Sequence, residues 1–396
     1  MKTKHLFTYD IRPGHLFRIS DCPDNVMFDL TWKCNYRCSF CYNPHENSKL
    51  GHPPWQTTEA ILHKLAEWGV REVLYLGGEP MLLPKFDDVI ELGSRLGLSQ
   101  RVVTNGSRIS ERRAQLLAAH NVEVGVSLHS AAALVHNQLT GTRQGLQKAT
   151  KGLNLLIRAG VRCFVQYSPT RLDPGGLSGL GSFLRAYYGK AIQFIDVNRL
   201  LPFGEATQDK AHVVLDSQGW WDVLKIVGEL ISSGWTIKVE AVPHCWVRDR
   251  AAIEGLRNEI IEAILSSLRP CHMGINQLAF DPVGRIKMCP GGSPVSNSIL
   301  DLEIQKFWYS DPLMQHRREL LFLPKRCLDY DVTHACQYLH ECNGGCRSTG
   351  NQDNLIDFIF NGITGLPVVH QSSNSLGSSP ARNRRQSSHT KAKASS

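Results

Sequence analysis

Three cysteines within eight residues set the chemistry this chain is equipped to do. Cys34, Cys38 and Cys41 stand in a C-x3-C-x2-C spacing, in FDLTWKCNYRCSFCY, directly after a short apolar strand pattern. Thiolates held so close repel one another and oxidise easily, and a soft metal centre relieves both problems. Structural zinc sites and four-cysteine iron–sulfur sites gather four protein ligands, often as two C-x2-C pairs. Here the local group stops at three, because the next cysteine is Cys163. A [4Fe–4S] cluster on three cysteines keeps one iron open for a small molecule. The competing readings are a structural zinc knuckle and a chance cluster.

Such a loop needs a scaffold. Apolar strand patterns recur as VMFDLTW, EVLYLGGEP, RVVTNG, VEVGVSLHS, VRCFVQYS and IQFIDVNRL. Helix patterns alternate with them near 58–68, 84–97, 110–119, 143–159 and 176–188. The first takes Thr57 or Thr58 as its cap, with Glu59 in the first turn. Six strands alternating with helices predict a parallel sheet with right-handed crossovers, open or partly closed into a barrel. Ligands of such sheets bind at the carboxyl ends of the strands. The cysteine loop, Gly77-Gly78-Glu79-Pro80, Thr104-Asn105-Gly106, and Ser127 with Ser130 all fall at such ends. Taken alone, GGEP is a tight strand-to-helix turn whose glycines admit close backbone approach to a ligand, and the lone polar residues are helix caps. Cys163, inside an apolar strand, reads as a buried small hydrophobe. From Ala206 the alternation fades into a helix near 217–232, the strand WTIKVEAV, Pro243-His244-Cys245-Trp246 and an amphipathic helix near 250–267.

The cysteine loop, with GGEP after the next strand, resembles the radical S-adenosylmethionine (SAM) superfamily. The resemblance implies an α/β fold, a partial (β/α)6 TIM-like barrel. It places a [4Fe–4S] cluster on Cys34, Cys38 and Cys41, with the open iron chelating the amino and carboxylate groups of SAM. It also implies Gly77, Gly78, Glu79 and Pro80 at the SAM amino group, Phe40 against the adenine, and Asn105 and Ser127 at the ribose or carboxylate. Arg143 would pair with the carboxylate, although many relatives carry that arginine where this chain has Thr140.

Six more cysteines lie at 271, 289, 327, 336, 342 and 346. Cys271 and Cys289 bracket a C-x12-G-x4-C segment that reads as a hairpin, with DPVG as the turn. Cys336, Cys342 and Cys346 form C-x5-C-x3-C. This resembles the SPASM extension, a C-terminal cysteine-rich domain with auxiliary [4Fe–4S] clusters. Two departures stand out: Thr333 occupies an expected cysteine position, and no cysteine follows Cys346. The six supply one or two auxiliary clusters. By analogy Cys271, Cys289 and Cys346 serve the first, and Cys327, Cys336 and Cys342 the second. Cys245 completes the first or donates a hydrogen atom to a substrate radical. A zinc ribbon is the plainer alternative.

The implied organisation is a lead-in over 1–25, the barrel over 26–205, a linker region over 206–270, the auxiliary-cluster domain over 271–350 and a disordered basic tail over 366–396. The net charge is +8, but no acidic residue follows Asp357, and Arg382, Arg384, Arg385, Lys391 and Lys393 carry five of those charges. That distribution argues against nucleic acid. No run of eighteen apolar residues predicts a membrane span, and no apolar signal core precedes Asp10, so a cytoplasmic protein is expected. Twelve cysteines there mean metal or redox chemistry. The resemblance implies reductive cleavage of SAM to a 5′-deoxyadenosyl radical that abstracts hydrogen from a substrate C–H bond. The first expectation is cross-linking or oxidation of a ribosomally made peptide or protein. The second is a dehydrogenase or epimerase of an aminoglycoside or other sugar, and the third a non-catalytic zinc-binding protein. Implied partners are an electron donor such as flavodoxin or ferredoxin and, because the lead-in is too short for a peptide-recognition domain, a separate recognition protein.

Overall fold

A computed structural model describes residues 7–12, 15–200, 203–207, 213–240, 242, 244–269, 271–311 and 313–314. The expectations on Cys327, Cys336, Cys342, Cys346 and the basic tail lie outside the described residues, as does the Cys245 side chain.

The chain opens on an antiparallel hairpin, β1 (Phe7–Arg12) and β2 (His15–Ile19). All six predicted strands then form: β3 (Asn25–Asp29), β4 (Glu72–Leu76), β5 (Ser99–Thr104), β6 (Glu123–Ser127), β7 (Cys163–Tyr167) and β8 (Ile192–Val197). They pair in sequence order and all in parallel. Between them run α1 (Trp55–Trp68), α2 (Phe86–Arg95), α3 (Glu111–Ala119), α4 (Ala133–Thr140), α5 (Gly145–Arg158) and α6 (Gly176–Tyr188). The side chains alternate as strand geometry requires. Phe28, Tyr75, Val102, Val124, Cys163 and Ile195 are fully buried towards the helices, each worth roughly 1.5–3 kcal/mol for the larger apolar side chains. Met27, Leu74, Arg101, Phe164 and Asp196 occupy the alternate register positions, on the inner face of the curved sheet.

Three expectations are corrected. The first helix begins at Trp55 behind Pro54, and Thr58 is no cap because it is completely buried inside the helix. α4 was not foreseen: AAALVHNQLT offers little polar–apolar contrast. The single helix over 250–267 is two, α8 (His244–Glu254) and α9 (Asn258–Ser267), broken where Gly255 takes φ +63°.

The sheet does not end at six strands. After α7 (Ser217–Ser232), β9 (Ile237–Glu240) adds in parallel to β8, and β10 (Leu268–Arg269) to β9. At the opposite edge, β11 (Gln277–Phe280) pairs in parallel with β3 and turns back into β12 (Arg285–Lys287) and β13 (Pro294–Ser298). DPVG is the turn expected, with Asp281 Oδ1 accepting from the amides of Val283 (3.1 Å) and Arg285 (2.8 Å). The hairpin bracketed by Cys271 and Cys289 is thus hydrogen-bonded to the strand that launches the cysteine loop. A five-residue helix, α10 (Ile304–Trp308), follows.

Candidate active site

The loop after β3 is fixed largely by main-chain hydrogen bonds to the turn that ends β4 and to the end of α4. The amide of Gly78 donates to Thr31 O and that of Glu79 to Lys33 O, both at 2.7 Å. A Cβ on Gly77 would come within 2.6 Å of Thr31 O, and one on Gly78 would overlap Lys33 O. Gly77 also takes φ +121°. The two glycines therefore admit close approach of the cysteine loop itself, where a bound ligand was the expected reason. On the other flank α4 ends against the loop: Arg37 N donates to Thr140 O (3.1 Å) and Ser39 N to Leu139 O (3.0 Å).

Glu79 is buried and braces β4 to β5. Thr104 Oγ1 donates to its Oε1 (2.6 Å) and Asn105 N to its Oε2 (2.8 Å), while Met81 N adds a third bond at 3.2 Å. Burial raises the carboxyl above its ordinary range, and these donors and Arg113 oppose the rise. Pro80 starts the short 3-10 turn Pro80–Leu82 and is buried. Asn105 Nδ2 donates to Asn35 Oδ1 (3.0 Å), beside Cys34. Ser127 ends β6, in register with Gln166 of β7.

Phe40, between Cys38 and Cys41, meets His129 edge to face at 4.6 Å. His129 stacks on His136 of α4 at 5.9 Å and 16°. Burial holds both imidazoles neutral, at about 3 for His129 and about 4 for His136. A second bracket reaches the loop from beyond β8. Glu205 N donates to Cys41 O (2.9 Å), its carboxylate accepts from His45 N (2.6 Å), and His45 Nε2 lies 3.1 Å from Cys38 O. Below Cys41, Tyr42 Oη donates to Asp29 Oδ1 (3.0 Å), and Lys287 Nζ of β12 donates to Asp29 Oδ2 (2.7 Å). Burial raises the Asp29 carboxyl, and Lys287 opposes the rise.

The donor set fits a shared metal centre. Burial pushes Cys34 up to about 11 and Cys41 to about 12, and Cys38 well above its ordinary value with its two sister thiols adding to the rise. Three such thiols ionise together only when a cation compensates them. Among the described residues no three His, Cys, Asp or Glu side chains gather around a single-ion position, whereas a cubane cluster spreads its ligands over separate irons.

Other expected residues fall elsewhere. The Arg143 side chain lines a cleft between α4, α5 and α6, and no described contact ties it to the cysteine loop. Cys163 is fully buried, its thiol pushed up to about 12. Cys271 and Cys289 flank the β11–β12 hairpin and are half-buried. Sequence reading missed His45, His129, His136, Glu205 and Lys287. SLHS was read for its serines alone, although a histidine at a strand's carboxyl end was itself a signal.

Residues 30–168 match the family model "Radical SAM superfamily". The chain carries a radical SAM domain. It is 26% identical over 337 residues to the mycofactocin maturase MftC of Mycobacterium tuberculosis, covering 83% of this chain and 79% of the relative. Its fold is that of Streptococcus suis SuiB bound to S-adenosylmethionine, with TM-score 0.64, 19% identity, and 84% and 74% of the two chains covered. SuiB bound to its precursor peptide SuiA gives TM-score 0.63 at 20% identity, with 84% and 73% covered. The partial barrel implied by the resemblance is the fold these structures share. The radical SAM protein is an enzyme, and the non-catalytic zinc reading falls. Among the described residues no helix is long and apolar enough to cross a membrane.

Proposed function

We propose that this radical SAM enzyme modifies a ribosomally made peptide or protein by cross-linking or oxidation at an unactivated C–H bond. The likeness to the maturase MftC over four-fifths of both chains carries this reading, and the fold shared with SuiB, solved with a precursor peptide, supports it. The bound cluster and SAM supply a 5′-deoxyadenosyl radical after one-electron reduction. The protein's own residues hold and shield. Cys34, Cys38 and Cys41 ligate the cluster, and the Gly77–Pro80 turn, locked to that loop, takes the SAM amino group. Phe40, kept upright by His129, packs the adenine, and Asn105 and Ser127 reach the ribose or carboxylate. Arg143 is left out of this cradle because its side chain lies in the helical layer.

The domain boundaries at 26–205, 206–270 and 271–350 serve this reading, with Cys271 and Cys289 as ligands of an auxiliary cluster beside β3. An electron donor of the flavodoxin or ferredoxin kind and a separate peptide-recognition protein complete the system. The test is anaerobic turnover with SAM and dithionite on peptides encoded beside the gene, followed by mass spectrometry. Loss of hydrogen from a peptide, with 5′-deoxyadenosine formed in step, is expected. Turnover of sugars with no change in any peptide would overturn it.

A further inference from the structure

The helical layer outside β6 and β7 presents a surface that the SAM site does not use. Between Val124 and Ile195 the chain carries eight lysines and arginines and one acidic residue, Asp173. Asp173 is engaged by Ser130 Oγ at 2.5 Å. Arg143, Lys148 and Lys151 are exposed and have no ion-pair partner among the described residues. Arg143 lines a cleft of about 500 Å³ between α4, α5 and α6, with Asn137, Gln147, Asn154, Phe183 and Tyr187. Lys148 and Lys151 directly follow the lining residues Gln147 and Thr150 on α5. Tyr187 is 73% exposed, and Leu134, next to the lining residue Ala133, is 81% exposed. Unpaired positive charge around exposed aromatic and aliphatic side chains suits an acidic protein partner.

What lies beneath the cleft selects the kind of partner. Asn137 faces the cleft, while its neighbour His136 is buried and stacks on His129, which in turn meets Phe40 between Cys38 and Cys41. Two packed imidazoles, His136 and His129, thus link this surface to Phe40 of the cysteine loop. The same short helix gives its last carbonyls to Arg37 and Ser39 of that loop. We propose that the α4–α6 face docks a small acidic one-electron carrier protein, bearing a flavin or an iron–sulfur cluster, and that the electron enters through His136, His129 and Phe40. One electron leaves the carrier and reduces the cluster on Cys34, Cys38 and Cys41; no atom is transferred. The inference rests on the radical SAM reading, which requires that electron.

The test uses a reduced bacterial flavodoxin as probe and the reconstituted full chain. Variants are the pair Lys148→Glu with Lys151→Glu, and separately Tyr187→Ala, all at exposed positions. Flavodoxin binding is titrated anaerobically in rising salt, and 5′-deoxyadenosine formation is driven by flavodoxin or by dithionite. Charge reversal is expected to weaken binding and slow flavodoxin-driven cleavage about tenfold or more at low salt, with dithionite-driven cleavage unchanged. Wild-type binding should fall as salt rises. Unchanged binding and unchanged flavodoxin-driven cleavage in both variants would overturn the docking site. A wild-type protein that forms no 5′-deoxyadenosine even with dithionite would instead overturn the radical SAM reading itself.

Discussion

The cysteine loop and the hairpin between Cys271 and Cys289 lie on neighbouring strands, β3 and β11. Both use main-chain bonds, but among the described residues only the hairpin adds a buried ion pair. The loop is gripped by main-chain bonds from GGEP and from the end of α4, and its glycines exist so that two backbones can touch. The hairpin arrives some 250 positions later and is fastened by strand pairing to β3 and by one buried ion pair, Lys287 with Asp29. Backbone bonds position a metal centre tightly and tolerate side-chain change. A buried ion pair is costly to desolvate and costlier to break. The SAM centre should therefore fail by steric insult to the backbone, and the hairpin by loss of a single charge.

The largest effect is expected from Gly78→Ala. The added methyl displaces the Lys33 carbonyl, and misplacement of the adjacent cysteine should lower SAM cleavage about 100-fold or more. Iron analysis and 5′-deoxyadenosine assay of the variant check this; near-normal values would show the close approach to be dispensable.

Lys287→Ala comes next. It strands Asp29 in a buried position and should cost about 3–5 kcal/mol of stability in denaturant titration. The double variant Asp29→Asn with Lys287→Met should recover most of that loss. If both variants were equally unstable, packing rather than charge would hold the hairpin.

The smallest effect concerns the imidazoles behind Phe40. His129 and His136 lie near 3 and 4 where an ordinary histidine lies near 6.5. Between those values the unfolded chain binds more protons than the native one. Stability from these groups is therefore complete above about pH 6.5 and drains away as the pH falls towards 3. His136→Gln should flatten that decline by up to one proton's worth of slope, read from denaturation midpoints across the acid range. An unaltered slope would mean that the ring is not held neutral.

Much of the architecture was legible because strand runs and turn residues are local. Phe28, Val102 and Val165 sit in apolar runs short enough to be strands, and Asp281-Pro282-Val283-Gly284 makes its turn unaided. The three cysteines and GGEP were legible for the same reason. Contacts made only by the fold were hidden. Glu205 reaches His45 across 160 positions, and Lys287 reaches Asp29 across 258. α4 was missed because its purpose is served by backbone carbonyls, which leave little mark on the side-chain pattern. Arg143 looked like a SAM ligand from its distance along the chain to Thr140, but the turn at Gly141, with φ +63°, leads on to α5 and a side chain in the outer cleft.

The central claim is tested most directly by reconstituting the full chain anaerobically, counting iron and sulfide, and assaying 5′-deoxyadenosine with SAM and dithionite. The account predicts about eight to twelve iron atoms per chain, two or three cubane clusters, with cleavage that disappears when Cys34, Cys38 or Cys41 is replaced by alanine. Zinc in place of iron, with no 5′-deoxyadenosine formed, would contradict it.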